Sequence, residues 1–440
     1  MWPPTAPPGT LTSPLCDALT LGATAIGSVA GIPLGPQTDP AVLAPVALAT
    51  VVGCLLGTCS GLVPGLHANN FALLLAGAAP HVAVDPLALG AAMLAAGVVH
   101  TFLDVVPSLA LGVPDGAMAA AALPGHRLVL RGRGREALRL SALGSGGAVV
   151  VATLLAIPVT WAMLQLVPLL TTWFPLVAAV VLALLLATEP SHTARVVGLI
   201  AFGLATGLGA AVLGLSLSGP IAGGVLAPLF GGLFGAPVLL DALHGGGVPE
   251  QADARLAIPP LDLGISAAAG GLSGAAVGYL PGVSAGVAAT VSLPAVPARS
   301  DLRGFVVATS GANSSTAVFS LFALVALGAP RSGVLVAVDE AGVPLALPVL
   351  LPVVLTAAAV GFVLVGLLGD AAFRIVSRLD QRRLALAVIG LLIGLSALFA
   401  GPAGIAVFSL ATLVGLVAVR IGARRVYLMG VLLGPLALGL

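Results

Sequence analysis

Three polar side chains that follow a Pro-Gly pair are of types that bind small anions. His67, Asn69 and Asn70 come directly after Pro64-Gly65, which ends an apolar run. Proline removes a backbone donor and glycine permits unusual dihedral angles, so a helix must stop there. At the start of the next helix, free N–H groups and the positive dipole end attract an anion, and these side chains add donors. We predict a substrate site here, with simple helix capping by Asn69 as the alternative.

A second candidate group combines a carboxylate with an imidazole. Asp104 lies in the apolar run 86–112, and His100 precedes it by four residues, on the same face of a helix. An ionisable residue inside a membrane span is a functional candidate by default. Asp104 is therefore predicted to bind a coupling cation or proton, and structural pairing with His100 is the alternative.

Three consecutive polar residues interrupt a later apolar run. Asn313, Ser314 and Ser315 lie within residues 304–328. Polar groups at that depth must find hydrogen-bond partners, either across a helix interface or in a ligand cavity. The sequence leaves both interpretations open.

The composition indicates the elements that must position these residues. Of 440 residues, 59% are hydrophobic and 8% are charged, whereas a soluble protein has about 25% charged residues. We therefore predict an all-α polytopic protein of the cell membrane, with about 12 segments able to cross a hydrocarbon core of roughly 30 Å. The net charge of +1 argues against a nucleic-acid partner.

The predicted spans are apolar runs separated by short polar stretches. They lie at about 41–63, 86–112, 141–170, 173–188, 196–214, 216–236, 262–280, 304–328, 346–372, 384–400, 402–419 and 426–440. Shorter runs at 69–79 and 286–296 follow Pro-Gly pairs and are typical of half-helices or re-entrant arms. Residues 1–40 form a Pro-rich N-terminal extension.

The stretch around the first Pro-Gly pair occurs twice. Gly61, Pro64, Gly65 and His67 recur as Gly278, Pro281, Gly282 and Ser284, each pair 217 residues apart. The earlier glycines Gly53 and Gly57 likewise recur as Gly270 and Gly274. A period of this length indicates an internal duplication. We divide the chain into a first repeat (41–223), a connecting segment (224–260) and a second repeat (261–440).

Arginine placement predicts that the repeats are inverted. The stretch from Pro114 to Arg139 is rich in arginine, whereas its counterpart from Pro330 to Pro344 contains only Arg331. Conversely, the loop before residue 86 has no arginine, and its counterpart has Arg299 and Arg303. Positive residues favour the cytoplasmic side, so the bias changes sides between the copies. Broken segments at matching positions of inverted repeats point to a transporter's binding site.

The stretch Pro124–Ala148 resembles a signature of the large permease subunit of tripartite tricarboxylate transporters. The matching residues are Gly125, His126, Leu128, Gly132, Ala137, Leu138, Ser141 and Ala142. The family's doubled GxxPG loops look like Gly61–Gly65 and Gly278–Gly282, and its C-terminal GxxLGP element looks like Gly430–Pro435. Pro124 replaces an expected acid, and the acid that usually follows Pro435 is missing. The resemblance covers about 41–440 and is greatest to the archaeal branch.

The resemblance implies a secondary carrier of small organic anions, the di- and tricarboxylates, that works by ion-coupled alternating access of the elevator type. Na⁺ or H⁺ is the expected coupling ion, and no other cofactor is expected. The implied partners are a small membrane subunit and an extracytoplasmic binding protein, with a homodimer as a further arrangement. The two lost acids leave the substrate and the partner contacts open.

Two other function classes compete with a carrier. A lipid-phosphate flippase would suit the same helix-terminus anion sites. An intramembrane protease is suggested by Gly271-Leu272-Ser273-Gly274, but none of the six histidines follows Ser273 to act as its base. The sequence also lacks an HExxH motif and a P-loop. We therefore expect no enzymatic activity and no bound metal.

Overall fold

The computed structural model describes residues 39–64, 66, 68, 71–72, 75, 84–111, 119–220, 224–243, 249–253, 255–280, 285, 288, 292 and 295–440. These residues form helices and no strands. The helices of the first part are α1 (Pro40–Gly61), α2 (Pro86–Leu103), α3 (Val105–Leu111), α4 (Ala119–Leu130), α5 (Gly134–Thr172), α6 (Phe174–Ala187), α7 (His192–Val212), α8 (Leu226–Phe230) and α9 (Ala236–Ala242). Those of the second part are α10 (Pro260–Tyr279), α11 (Asp301–Leu327), α12 (Gly333–Glu340), α13 (Leu347–Val376), α14 (Gln381–Arg420) and α15 (Gly430–Leu438).

The helix starts follow from the local sequence. In both α1 and α2 an aspartate precedes a proline at the first helical position. The side chain of Asp39 accepts a hydrogen bond from the backbone N–H of Ala41, and that of Asp85 accepts from Leu87 and Ala88. The carboxylate satisfies donors that have no partner within the helix, and proline does not need one.

The helices are of a size that suits a membrane. Among the described residues, eight helices are long and apolar enough to cross a bilayer, and three shorter helices are also apolar. The longest, α14, has 40 residues, about twice the length needed to span. Gly401, at φ 64° and ψ −160°, kinks it at the point where the sequence separates two predicted spans. The structure is therefore that of an all-α multi-pass membrane protein.

Two predicted boundaries are wrong. The predicted span 141–170 starts too late, because α5 begins at Gly134 within the arginine-rich stretch, and residues 119–130 before it form α4. The predicted span 216–236 is not one helix, because residues 215–219 have no regular structure and Gly231–Gly235 form a π-helical turn. Gly219 packs directly on the backbone of Leu398 in α14, so the irregular segment is held by contacts that hydrophobicity does not reveal.

Glycines set the spacing of two matching helix pairs. A Cβ atom added to Gly53 of α1 would lie 2.9 Å from the Cα atom of Ala92 in α2, and one added to Gly270 of α10 would lie 2.8 Å from that of Ala308 in α11. Successive glycines meet successive turns of the partner: Gly53, Gly57 and Gly61 contact Ala92, Ala96 and His100. The two helices of each pair therefore run in the same direction.

The two pairs run in opposite directions. Along α5 and α11, Glu136 lies at Arg303 and Gly144 at Val307, so these helices are parallel. The order of contacts is reversed along α5 and α13, where Gly134 meets Phe373 and Gly146 meets Phe362. Helix α13 in turn runs parallel to α2, because Gly90 meets Val343 and Gly361 meets Phe102. Opposite directions of matching pairs are what an inverted duplication requires.

The buried apolar residues form two bundles that each combine early and late parts of the chain. The first bundle consists of residues 40–172 and 258–376, whose largest buried side chains include Phe102, Tyr279 and Phe319. The second bundle consists of residues 174–243 and 381–440. The division into repeats read from the sequence cuts across both bundles.

The arginines predicted on one side of the membrane lie at one end of the molecule. Arg303 of α11 and Arg133 both contact the buried carboxylate of Glu136, at 2.8 and 2.5 Å. Arg135 lies 3.3 Å from Asp370, near the end of α13. We call the end formed by residues 131–139 and 299–303 the arginine-rich end.

Candidate functional site

Asp104 marks a break in the backbone hydrogen bonding of a buried helix, although its own dihedral angles stay helical (φ −58°, ψ −23°). Asp104 separates α2 from α3 and is 4% exposed. Pro107 lies in α3, so the carbonyl of Leu103 has no backbone donor four residues ahead. The predicted span 86–112 is thus interrupted at its one carboxylate.

Asn313 brings the second half of the chain to this carboxylate. The Asn313 amide nitrogen Nδ2 donates to Asp104 Oδ2 at 2.7 Å and also lies 3.2 Å from the carbonyl oxygen of Thr101. The Ser314 hydroxyl donates to the same carbonyl at 3.4 Å. Asn313 is 5% exposed, so these bonds form away from solvent. The structure therefore places two candidate groups, 209 residues apart in sequence, in one cluster.

The cluster has the composition of a site for a hard cation. It contains one carboxylate and backbone carbonyl oxygens from an interrupted helix. In transporters with broken helices, oxygen atoms of these kinds are the ligands of the coupling ion. If the coupling ion is a proton, the Asp104 carboxylate would bind it at the same place. Among the described residues, no set of three His, Cys, Asp or Glu side chains is arranged to hold a metal ion.

His100 connects the break to the first Pro-Gly loop. Its Nδ1 lies 2.9 Å from the hydroxyl oxygen of Ser60, in the last turn of α1. The ring of Phe71 stacks on the imidazole with centroids 6.3 Å apart and planes at 15°. Phe71 therefore lies beside His100, one turn before Asp104 on α2.

Other predicted residues lie in helix contacts. The side chain of Ser315 faces Gly274 of α10, and its hydroxyl is 3.4 Å from the carbonyl of Ala312. Gly61 and Gly278 end the two glycine rows, where an added Cβ would lie 2.8 Å from Leu103 Cβ and 2.7 Å from Phe319 Cβ. Close packing accounts for these three residues.

Several predicted site residues lie outside the described residues. They are Gly65, His67, Asn69, Asn70, Pro281, Gly282 and Ser284. Pro64 is described and forms the turn after α1. Their substrate-binding role stays a prediction.

Ser60 and Phe71 were missed by the sequence analysis although both contact His100. Ser60 is a polar residue in the last turn before a Pro-Gly break, a position that could have drawn attention to it. Nothing in its type distinguishes Phe71 from the other apolar residues of its run.

Comparison with known proteins decides the family. The Tripartite tricarboxylate transporter TctA family matches residues 47–430, most of the chain. The chain belongs to this family. TctA proteins are integral membrane transporters, so the expected resemblance and the multi-pass membrane location are both confirmed.

One similar curated protein also matches. The chain is 30% identical over 289 residues to the uncharacterized protein MJ1079 of Methanocaldococcus jannaschii, covering 64% of this chain and 70% of that protein. This relative is archaeal, in agreement with the predicted branch. No solved structure matches the chain.

Membership of the TctA family supports a role in tricarboxylate transport and is consistent with the expected lack of enzymatic activity. The structure also accounts for Ser273, the serine of the protease alternative. Its hydroxyl donates to the carbonyl of Gly270 in its own helix at 2.8 Å.

Proposed function

We propose that the protein is an ion-coupled carrier of di- or tricarboxylates in which Asp104 holds the coupling ion. The observation that carries this proposal is the contact between Asp104 and Asn313. It joins the break in α2 to a helix that runs in the opposite direction, as in carriers whose ion sites lie between inverted repeats.

The substrate anion binds next to this ion. Phe71, which follows Pro64-Gly65 in sequence, stacks on His100, so we expect an anion held by His67, Asn69 or Asn70 to lie near a cation at Asp104. Opposite charges bound at neighbouring sites stabilise each other, and this attraction couples the two affinities reciprocally. The matching loop at Pro281-Gly282 with Ser284 supplies the second side of the site.

Transport follows from movement of the first bundle against the second. The described contact between the bundles at the first Pro-Gly loop is small and apolar: Val63, Leu66 and Phe71 pack on Ala227, Leu395 and Phe399. Apolar contacts have no directional bonds to break, so they permit sliding at low cost. This elevator-type step is proposed by analogy with other carriers.

Family membership supports a tripartite assembly. We propose that an extracytoplasmic binding protein delivers the carboxylate and that a small membrane subunit completes the carrier. A homodimer of this chain is compatible with both.

The test is the melting temperature of the purified protein with citrate, with and without Na⁺, and at two pH values. A ligand that binds only the folded state raises this temperature. We expect Na⁺ to strengthen citrate binding by about 5- to 150-fold, the range of typical coupling free energies. A pH dependence without a Na⁺ effect would identify the proton as the coupling ion.

Asp104→Asn should remove the ion effect, and Glu340→Gln, which changes an exposed acid at the end of α12, is the matched control. Unchanged ion dependence in Asp104→Asn would refute the assignment. Stabilisation only by polyprenyl phosphate or other lipid phosphates would favour the flippase alternative.

A further inference from the structure

Arg425 is a buried arginine for which the described part of the chain supplies no hydrogen-bond or ion-pair partner. It begins the 3₁₀ turn Arg425–Met429 of the second bundle and is 9% exposed. Its guanidinium makes no hydrogen bond or ion pair with any residue that the structure describes. Two nearby arginines differ: Arg424 is bonded to Glu189, and Arg420 lies 3.4 Å from Asp241.

A guanidinium with so little access to water and no bonded partner among the described residues loses hydration, and a bound anion would offset that loss. A buried ionic group must be paired or hydrogen-bonded to offset the loss of its hydration. Many buried groups avoid the cost by changing protonation state, but arginine does not deprotonate in proteins. Asp241 offers little relief, because its carboxylate is 44% exposed and faces Arg420.

Across the interface between the bundles, helix α4, which carries His126, contacts the 3₁₀ turn that begins at Arg425. His126 of α4 lies 3.1 Å from the carbonyl oxygen of Leu109 through Nδ1. Burial lowers the pKa of His126, the Leu109 bond opposes this shift, and the positive charge of Arg425 lowers the pKa further. If Nδ1 carries the proton that bonds Leu109, Nε2 remains available to a ligand.

The position of this pair relates it to the Asp104 cluster. Leu109, which holds His126, is five residues beyond Asp104 along α3, a rise of about 7.5 Å on a helix. Helix α4 then continues to the turn at residues 131–133, at the arginine-rich end. The pair therefore lies between the cluster and that end.

We propose that Arg425, with His126 beside it, binds a small oxyanion at the interface between the two bundles. The guanidinium offers a planar fork of donors that matches the two oxygens of a carboxylate or a phosphate. An anion bound there contacts a residue from each bundle, so it stabilises the arrangement in which the bundles are in contact. That the oxyanion is the transported carboxylate on its route to the arginine-rich end rests on the proposed function; the site itself does not.

The test uses the purified full-length protein and inorganic phosphate or citrate as the probe, both without Na⁺. We compare the melting temperatures of the wild type, Arg425→Met and Arg425→Lys. Arg420→Met, which removes an exposed arginine from the last turn of α14, is the matched control.

The difference in melting temperature between Arg425→Met and the wild type should be positive without an oxyanion and should shrink or reverse with phosphate. Without an oxyanion, Arg425→Met should melt above the wild type, because methionine fills similar space without a buried charge. With phosphate, the wild type and Arg420→Met should gain stability, Arg425→Met should lose this gain, and Arg425→Lys should show a reduced gain because lysine lacks the fork. A lower melting temperature of Arg425→Met without an oxyanion, together with an unchanged phosphate shift, would overturn the site.

The two probes separate this site from the transport proposal. Stabilisation by phosphate but not by citrate would support the site and refute its link to the transported carboxylate. A Na⁺-independent citrate shift that survives Asp104→Asn but is lost in Arg425→Met would support both the site and that link. Loss of the Na⁺ effect in Asp104→Asn tests the transport proposal alone.

Discussion

Two glycines of one helix should respond in opposite ways to the same substitution. In α10, a Cβ added to Gly270 would lie 2.8 Å from the Cα atom of Ala308, about 1 Å inside the contact distance of two carbon atoms. The neighbour is helix backbone, which cannot rotate away, so α10 and α11 must separate. Around Gly264 of the same helix, no described atom lies within 4 Å of the added Cβ.

The magnitudes follow from these distances. Overpacking a tight contact costs about 1–3 kcal/mol, and replacing glycine by alanine inside a helix returns up to about 1 kcal/mol. With the full gain subtracted, Gly270→Ala should lower the free energy of unfolding by up to about 2 kcal/mol. Gly264→Ala has only the favourable part and should be neutral or up to about 1 kcal/mol more stable.

Equilibrium unfolding of the two variants in mixed detergent micelles, followed by circular dichroism, measures this difference. Each variant is compared with the wild type in the same micelle composition, so that the detergent contribution cancels. Equal stability of Gly270→Ala and Gly264→Ala would refute the inference that the glycine row sets the distance between α10 and α11.

Three further predictions concern polar residues. Asn313→Ala should abolish the effect of Na⁺ or pH on citrate binding, whereas Ser315→Ala should retain it, because the Asn313 side chain bonds the Asp104 carboxylate and the Ser315 hydroxyl instead lies near the carbonyl of Ala312. The thermal shift with citrate measures both effects. Glu136→Gln should lower the unfolding free energy by about 3–5 kcal/mol, since it breaks a buried ion pair. Asp253→Asn, at a side chain that is 69% exposed, should change it by about 0.5 kcal/mol or less. Equal effects of the two variants in chemical denaturation would contradict this prediction. The folded-state pKa of His126 is lowered, so the unfolded chain binds a proton first and stability should fall as the pH drops below 6.5. In thermal denaturation, His126→Gln should show a weaker fall than the wild type. Identical pH profiles of the two proteins would contradict the lowered pKa of His126.

Much of the fold could be predicted because membrane spans depend on local composition. A run such as 41–63 becomes Pro40–Gly61 since its apolar side chains and capped start need no distant partner. The glycines of the duplicated stretch also indicated close helix packing, because only glycine allows backbones to approach so closely. Polarity, in contrast, misjudged the arginine-rich stretch, in which residues 134–139 are helical and Arg135 and Arg139 pair with Asp370 and Asp253 from elsewhere in the chain.

The candidate site was predictable in its parts but not in its assembly. Asp104 and Asn313 each stood out as polar residues in an apolar run, yet nothing in the sequence paired them. Ser60 becomes a candidate only because it contacts His100 in the structure. Arg425 becomes one because the described residues supply no bonded partner for its buried side chain.

The sequence by itself determined the class of the protein, the repeated Pro-Gly stretch and the residue types available for binding. These depend on hydrophobicity and backbone chemistry, which act within a few residues. Only the tertiary structure decided that α2 breaks at Asp104, that α11 supplies Asn313 to the break, and that both bundles mix the two ends of the chain. Contacts between residues some 200 positions apart depend on helix directions and packing distances, which no local pattern encodes.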